Sequence, residues 1–294
     1  MKKILVPTDF SPTANNAAQY ALHLAAPLRA DIILCNAMLI PIEATGSDQV
    51  AWALQDYDAV KTDTTEQLQQ GVRKLKHRLK EHVAFFPDDF KPEITFTSEV
   101  GLVSDVIRNA LDKHGASLVV MGVSGAGSLE RFFMGSNSWD VISKAAFPVL
   151  LIPPEYIFRP LKKIAFATDL DKRDINILHT MACFAKTMDA EIQINHISDD
   201  NYEQGEDRYK ADVFMAELCK KISYPNIRYR HIKSTDVDHG LNWLHEHGQV
   251  DMLVMVHRQL HFLARLFSGS HTQKLARHVT IPLLVFPPEY GAAI

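Results

Sequence analysis

KKILVPTDF at residues 2–10 returns as KKIAFATDL at residues 162–170, and this repeat decides how the whole chain is read. Thr8 and Asp9 recur as Thr168 and Asp169, an offset of 160. The far end of the unit recurs as well: FPVLLIPPEY at 147–156 returns as IPLLVFPPEY at 281–290, an offset of 134. The second copy is therefore 26 residues shorter, and most of the deficit falls after its second strand. There copy one carries PIEATGSDQVAWALQDYDAVKTDTTEQ and copy two only SDDNYEQGEDRYK. A repeat of this length means one architecture used twice, with domains expected at 1–156 and 157–294. The Pro-rich segment 153–163 between them is short, so the two domains are expected to touch.

Within copy one, short apolar runs alternate with segments of helical spacing. Strands are expected at 4–9, 31–38, 93–100, 117–122 and 148–153, and helices at 17–28, 66–83, 104–115 and 136–146. Gly115 closes the third helix as a C-cap, and Ser136 supplies a hydroxyl at the start of the fourth. Copy two reads alike, with strands IAFATD, AEIQINHI, NIRYRHIK, VDMLVMV and PLLVF. Buried strands alternating with helices imply a parallel sheet covered on both faces. The fold class is α/β: two tandem five-stranded, doubly wound, Rossmann-like domains. Residues 41–65, with Trp52 and Tyr57, are left as an insertion: a lid, an interface or a mobile loop. The closing strands PVLLIP and PLLVF are apolar edges that would invite aggregation if bare.

Charge and composition exclude several classes. With 35 acidic and 31 basic residues and no clustered Lys or Arg track, nucleic acid is not an expected partner. Pro7 and Asp9 break the first apolar stretch, so it reads as a strand and not as a signal peptide. No stretch approaches the roughly 18–20 apolar residues of a membrane span, and a cytoplasmic protein is expected. Cys35, Cys183 and Cys219 form no CxxC pair, and all three are expected to be buried free thiols.

The chemistry concentrates in MGVSGAGSLERFFMGSNS, residues 121–138. Gly122 and Gly125 follow the fourth strand, at the edge where open α/β sheets bind ligands. Without Cβ atoms there, backbone N–H groups can approach a phosphate closely. Gly135 to Ser138 opens a helix whose bare N–H groups and positive dipole end favour an anion. Asp9, at the end of strand one, can accept from an adenine amine or a ribose hydroxyl, or it can cap the next helix. The loop GxxxxGK[ST] is absent, as are GxGxxG after the first strand and the SGGxDS and HxGH elements of adenylating enzymes.

The spacing of glycine, two residues, glycine, nine residues, glycine and serine resembles the ATP-binding subgroup of the universal stress protein family, an adenine nucleotide alpha hydrolase-like fold. The resemblance covers essentially the whole chain, twice. It implies ATP, with Mg2+, in the first domain. Pro7, Asp9 and Ala37 would line the adenine and ribose pocket, and Met121, Gly122, Gly125, Gly135, Ser136, Asn137 and Ser138 would hold ribose and phosphates. It also implies that the closing strands pair the two domains within the chain, with association of two chains left open. A binding and signalling role in the stress response needs no catalytic residue. The alternatives are slow ATP hydrolysis, with Asp9 holding a metal or water and Arg131 near the phosphates, or a scaffold whose second domain takes a metal or other small ligand.

Copy two keeps Gly269 and Ser270 but places Val256 and Gln259 where copy one has Gly122 and Gly125. Phosphate approach is hindered there, so nucleotide is expected in the first domain. Ten histidines lie in copy two. His196, His257 and His271 stand at strand or helix ends beside Asp169, where a metal or another anion could converge, or where histidines simply cap and solvate.

Overall fold

The structure, a computed structural model, describes residues 2–38, 47–81, 90–123, 136–154, 156–199, 204–234, 240, 243–244, 248–259, 281–288, 290–291 and 294. It divides into two compact units, Met1–Gly122 and Val123–Ile294.

The first unit runs β1 (Lys2–Pro7), α1 (Pro12–Leu28), β2 (Ala30–Met38), α2 (Ser47–Glu81), β3 (Ile94–Val100), α3 (Val103–His114) and β4 (Leu118–Gly122). Its strands lie in the order β3-β2-β1-β4, and the pairs β1–β2, β1–β4 and β2–β3 are parallel. Ile4, Leu5 and Val6 are consecutive and each at most 1% exposed, as a strand sandwiched between helices on both faces requires. The strand order reverses between β1 and β4 while the strands stay parallel, and their carboxyl ends flank the crevice where such sheets take ligands.

The second unit runs α4 (Ser136–Lys144), β5 (Val149–Ile152), β6 (Lys163–Thr168), α5 (Asp174–Met188), β7 (Glu191–Asp199), α6 (Gln204–Lys221), β8 (Ile227–Ser234), β9 (Met252–Val256) and β10 (Leu283–Phe286). Strand order is β5-β10-β9-β6-β7-β8. Neighbours from β10 to β8 are parallel. β5, the closing strand of copy one, lies antiparallel to β10, the closing strand of copy two, with Leu150 opposite Leu284. Both leucines are 1% exposed, so each apolar edge is covered by the other.

Two expectations are corrected. Residues 47–65 are not an insertion before a helix starting at 66; they are the first part of α2, which is 35 residues long. Val60 is 47% exposed and, from Tyr57 to Asp63, every described side chain is exposed or half-exposed. From Tyr57 to Asp63 no buried stripe marks the helix. Local contacts run along it: Thr62 and Thr65 donate to the carbonyls four residues back, Gln67 donates to Asp63, and Lys61 sits 5.7 Å from the Tyr57 ring centroid. The thiols also differ from expectation: Cys35 is buried but Cys183 and Cys219 are exposed. Among the described residues, no helix is long and apolar enough to cross a membrane.

These observations set two stability changes apart. Leu284→Ala is expected to lower stability by about 2–5 kcal/mol, as a cavity opens between the paired closing strands. Val60→Ala should change it by less than about 0.5 kcal/mol, because Val60 is 47% exposed. Urea unfolding of the two variants against the parent chain reads both.

Candidate functional site

The site grows from the turn that leaves β1. Thr8 Oγ1 accepts from the backbone N–H of Phe10 at 3.0 Å, and Asp9 Oδ1 accepts from the N–H of Ser11 at 3.0 Å. Phe10 takes a left-handed φ of 65° to make the turn. Ser11, not Asp9, is the N-cap of α1: its side chain accepts from Ala14 N at 3.2 Å, with Pro12 as the first helical residue. The turn is pinned from the next strand, because Asn36 Nδ2 donates to the Thr8 carbonyl at 2.8 Å and Thr8 N donates to Cys35 O at 2.8 Å. Asp9 is thus bound through one oxygen and stands exposed at the sheet edge.

Pro7, Asp9, Ala37, Met121 and Gly122 all belong to this one carboxyl edge, at the ends of β1, β2 and β4. Gly122 also has a packing role. A Cβ built on it would stand 2.5 Å from the carbonyl oxygen of Thr13, so β4 passes directly over the first turn of α1. Substituting Gly122 therefore tests helix packing as much as ligand approach. Gly125, Gly135 and Arg131 lie outside the described residues. Ser136, Asn137 and Ser138 open α4 in the second unit, where Ser138 is buried at 3% exposure. Cys35 is no nucleophile: burial, reinforced by the Glu99 charge, pushes its thiol up to about 12.

The second unit rebuilds the same turn with different surroundings. Thr168 Oγ1 accepts from Leu170 N at 2.9 Å, Asp169 Oδ1 accepts from Asp171 N at 3.3 Å, and Leu170 has a φ of 63°. His196 takes the place of Asn36, with Nδ1 at 3.1 Å from the Thr168 carbonyl. That contact puts the proton on Nδ1 and makes His196 a backbone anchor. His231 stacks on it at 5.5 Å and is itself 2.7 Å from Ser198 Oγ. His257 is held below its usual pKa by burial, which favours the neutral ring. Among the described residues no three His, Cys, Asp or Glu groups converge as a metal site, and His271 lies outside them.

What the sequence reading missed is Arg258, two residues past β9. Its Nη2 bonds Asp174 Oδ1 and lies 3.7 Å from Asp169 Oδ1 and 3.9 Å from Asp171 Oδ2. Arg258 is 15% exposed and Asp174 1% exposed. Thr168 Oγ1 donates to the other Asp174 oxygen at 2.7 Å. Burial raises the Asp174 pKa despite the Thr168 and Arg258 contacts that lower it. Asp171 is held down at about 2, chiefly by its hydrogen bond from Arg173. Copy one has Ser11, Ala14 and Ser124 at the positions of Asp171, Asp174 and Arg258. The cluster is particular to copy two. Asn36 was likewise missed. Only the offset alignment of Asn36 with His196 could have flagged it.

Arg258→Met should destabilise the second unit by about 3–5 kcal/mol at pH 7, because Asp174 is left buried as an unpaired charge. An acid whose folded pKa is raised is costly to ionise above that value, and the cost disappears as pH falls through it. The gap between variant and parent should therefore narrow as pH is lowered from 7 towards 5. Asp171, with its depressed pKa, works the other way: its contribution is present above the ordinary carboxylate range and is lost only as pH falls towards 2. Thermal unfolding at several pH values reads both trends.

Comparison with known proteins bears on the whole chain. The sequence profile described as the Universal stress protein family matches residues 1–153 and again 160–287. A universal stress protein of Methanocaldococcus jannaschii is 28% identical over 155 residues, covering 51% of this chain and 81% of that protein. A second from the same organism is 25% identical over 158 residues, covering 51% and 94%. Among solved structures, a universal stress protein from Archaeoglobus fulgidus superposes with a TM-score of 0.61 at 18% identity, covering 97% of this chain and 96% of that one. With the profile matched twice and an α/β, largely parallel fold in place, the chain belongs to the universal stress protein family as a tandem, two-domain member.

Proposed function

We propose that the first copy binds an adenine nucleotide, ATP with Mg2+, and that the chain acts as a cytoplasmic stress-response protein whose conformation depends on that nucleotide. The observation that carries this reading is Asp9. It is exposed at the β1 switch point, in a turn fixed by Thr8 and Asn36, and among the described residues no cation pairs with it. Its second-copy equivalent, Asp169, has Arg258 beside it. An exposed acceptor held in fixed geometry suits the exocyclic amine of adenine or a ribose hydroxyl. Pro7 and Ala37 would line the adenine and ribose pocket beside Asp9, and Met121 and Gly122 are assigned to ribose and phosphates by the family resemblance. Gly125, Gly135, Ser136, Asn137 and Ser138 are assigned to ribose and phosphates by the family resemblance. Mg2+ would travel with the phosphates and offset their charge. The second copy, with Val256, Gln259 and Arg258, takes no nucleotide at the matching edge.

Equilibrium dialysis with labelled ATP should give one nucleotide per chain. Asp9→Asn should weaken retention by about tenfold or more, Gly125→Val should abolish it, and Asp169→Asn should leave it unchanged. Retention that Asp9→Asn and Gly125→Val do not alter would overturn the assignment. A single-turnover assay should show bound ATP surviving without ADP formation, and mass spectrometry of small molecules retained through purification should find an adenine nucleotide.

A further inference from the structure

The junction between β3 and α3 stands at the carboxyl edge of the first unit, where Gly101 N donates to Met38 O at 3.1 Å. Glu99 shows which face of the sheet α3 covers. Asn109 Nδ2 donates to Glu99 Oε2 at 3.5 Å and Lys113 Nζ lies 3.6 Å from Oε1, and both partners belong to α3. Glu99 is in register with Ala37, while Cys35, two residues earlier on β2, is in register with Pro7. Side chains alternate along a strand, so Pro7, Cys35, Ala37 and Glu99 share the face under α3. Leu34, on the opposite face, meets α2 at Gly71. Pro7 and Ala37, assigned above to the adenine and ribose pocket, thus lie on the α3 side of the sheet.

The first turn of α3 carries a polar atom that the fold does not use. Ser104 is 3% exposed, and its Oγ has no hydrogen-bond partner among the described residues. It is the second residue of the helix, buried between half-buried Val103 and exposed Asp105, and so sits at the end of α3 nearest the carboxyl edge. The other buried residues of α3 are Val106, Ile107, Ala110 and Leu111, all apolar. An unpaired buried hydroxyl is destabilising, and such a group calls for a partner. The N-cap Leu102 makes no side-chain cap bond, which leaves the positive end of this 12-residue helix without a side-chain acceptor from that position. An acceptor atom arriving there gains from the dipole as well as from the hydroxyl.

We propose that Ser104 is a base-reading residue of the first copy: its Oγ donates to a ring nitrogen of an adenine seated against Pro7 and Ala37. The inference rests on the nucleotide reading given above and adds a donor to the acceptor that Asp9 supplies. Adenine's ring nitrogens carry no proton and can only accept, and a serine hydroxyl turns to donate where it is needed. Asp9 can accept but not donate, so it reads the exocyclic amine or a ribose hydroxyl and leaves the ring nitrogens to another group. Ser104 lies on the sheet face that holds Pro7 and Ala37 and has its hydrogen-bonding capacity unspent.

The test compares the full chain with Ser104→Ala by equilibrium dialysis, using ATP and the three deaza analogues in which one ring nitrogen of the adenine is replaced by carbon. Ser104→Ala should weaken ATP about threefold to tenfold, the size of one neutral hydrogen bond. One analogue should bind the parent chain more weakly than ATP by a similar factor, and Ser104→Ala should bind that analogue and ATP alike. Which analogue it is names the nitrogen. The melting temperature of ligand-free Ser104→Ala should be no lower than the parent's, because the hydroxyl has no partner to lose. Unchanged ATP affinity in Ser104→Ala, a lower melting temperature, or the same ranking of analogues in variant and parent would each overturn the proposal while leaving the nucleotide reading standing. A parent chain that retains no ATP would overturn that reading, and this inference with it.

Discussion

Because a Cβ on Gly122 would stand 2.5 Å from Thr13 O, the end of β4 can cross the first turn of α1 only as glycine. That single close approach sets the geometry of the first unit's carboxyl edge. It brings a strand end, a helix N-terminus and the Thr8–Ser11 turn together at the point where the strand order reverses. Packing therefore fixes this residue as glycine. The side on which the Cβ is missing is occupied by Thr13 and Ala14 of α1, so helix packing by itself accounts for a glycine here.

The turn beneath it is a scaffold in its own right. Both copies use a threonine hydroxyl to accept from the N–H two residues on, an aspartate to do the same one step later, and a left-handed residue directly after the aspartate. Both also anchor the threonine carbonyl from the second strand, by Asn36 in one and His196 in the other. An amide and an imidazole N–H are interchangeable as single donors to a carbonyl, which is why the position can change residue type without changing the turn. The histidine that stood out in copy two as a candidate ligand is accounted for by this role.

The repeat, the strand positions and the Gly115 cap could be read from residues alone because each is a local signal: a continuous apolar run, or a glycine at a left-handed φ of 64°. The first part of α2 could not. Its threonines and aspartates are poor helix formers in isolation, and their helix-supporting contacts arise only once the backbone is already helical. Asp9 and Asp169 illustrate a second kind of limit. The two are identical in sequence and in turn geometry, and the difference between them lies in Arg258, about 90 residues away from Asp169 along the chain and brought close by the sheet. Nothing in the repeat spacing marks an arginine that no motif contains.

That difference explains why two copies of one fold need not present two equal sites. In copy one the turn ends on a serine cap and an alanine, and its aspartate faces outward. In copy two the matching positions are Asp171 and Asp174, and a guanidinium from the loop after β9 lies among the three carboxylates. A phosphate arriving there meets three carboxylates set against the Arg258 and Arg173 guanidiniums, and Arg258 Nη2 is already engaged by Asp174. Displacing Arg258 would leave Asp174, 1% exposed, without its cation. Stripping a buried charge of its partner costs about 3–5 kcal/mol, a loss on the order of a hundredfold to a thousandfold or more in affinity. Any ligand at that edge would have to overcome this penalty before gaining from its own contacts. The second copy has satisfied internally the same turn that the first presents to solvent.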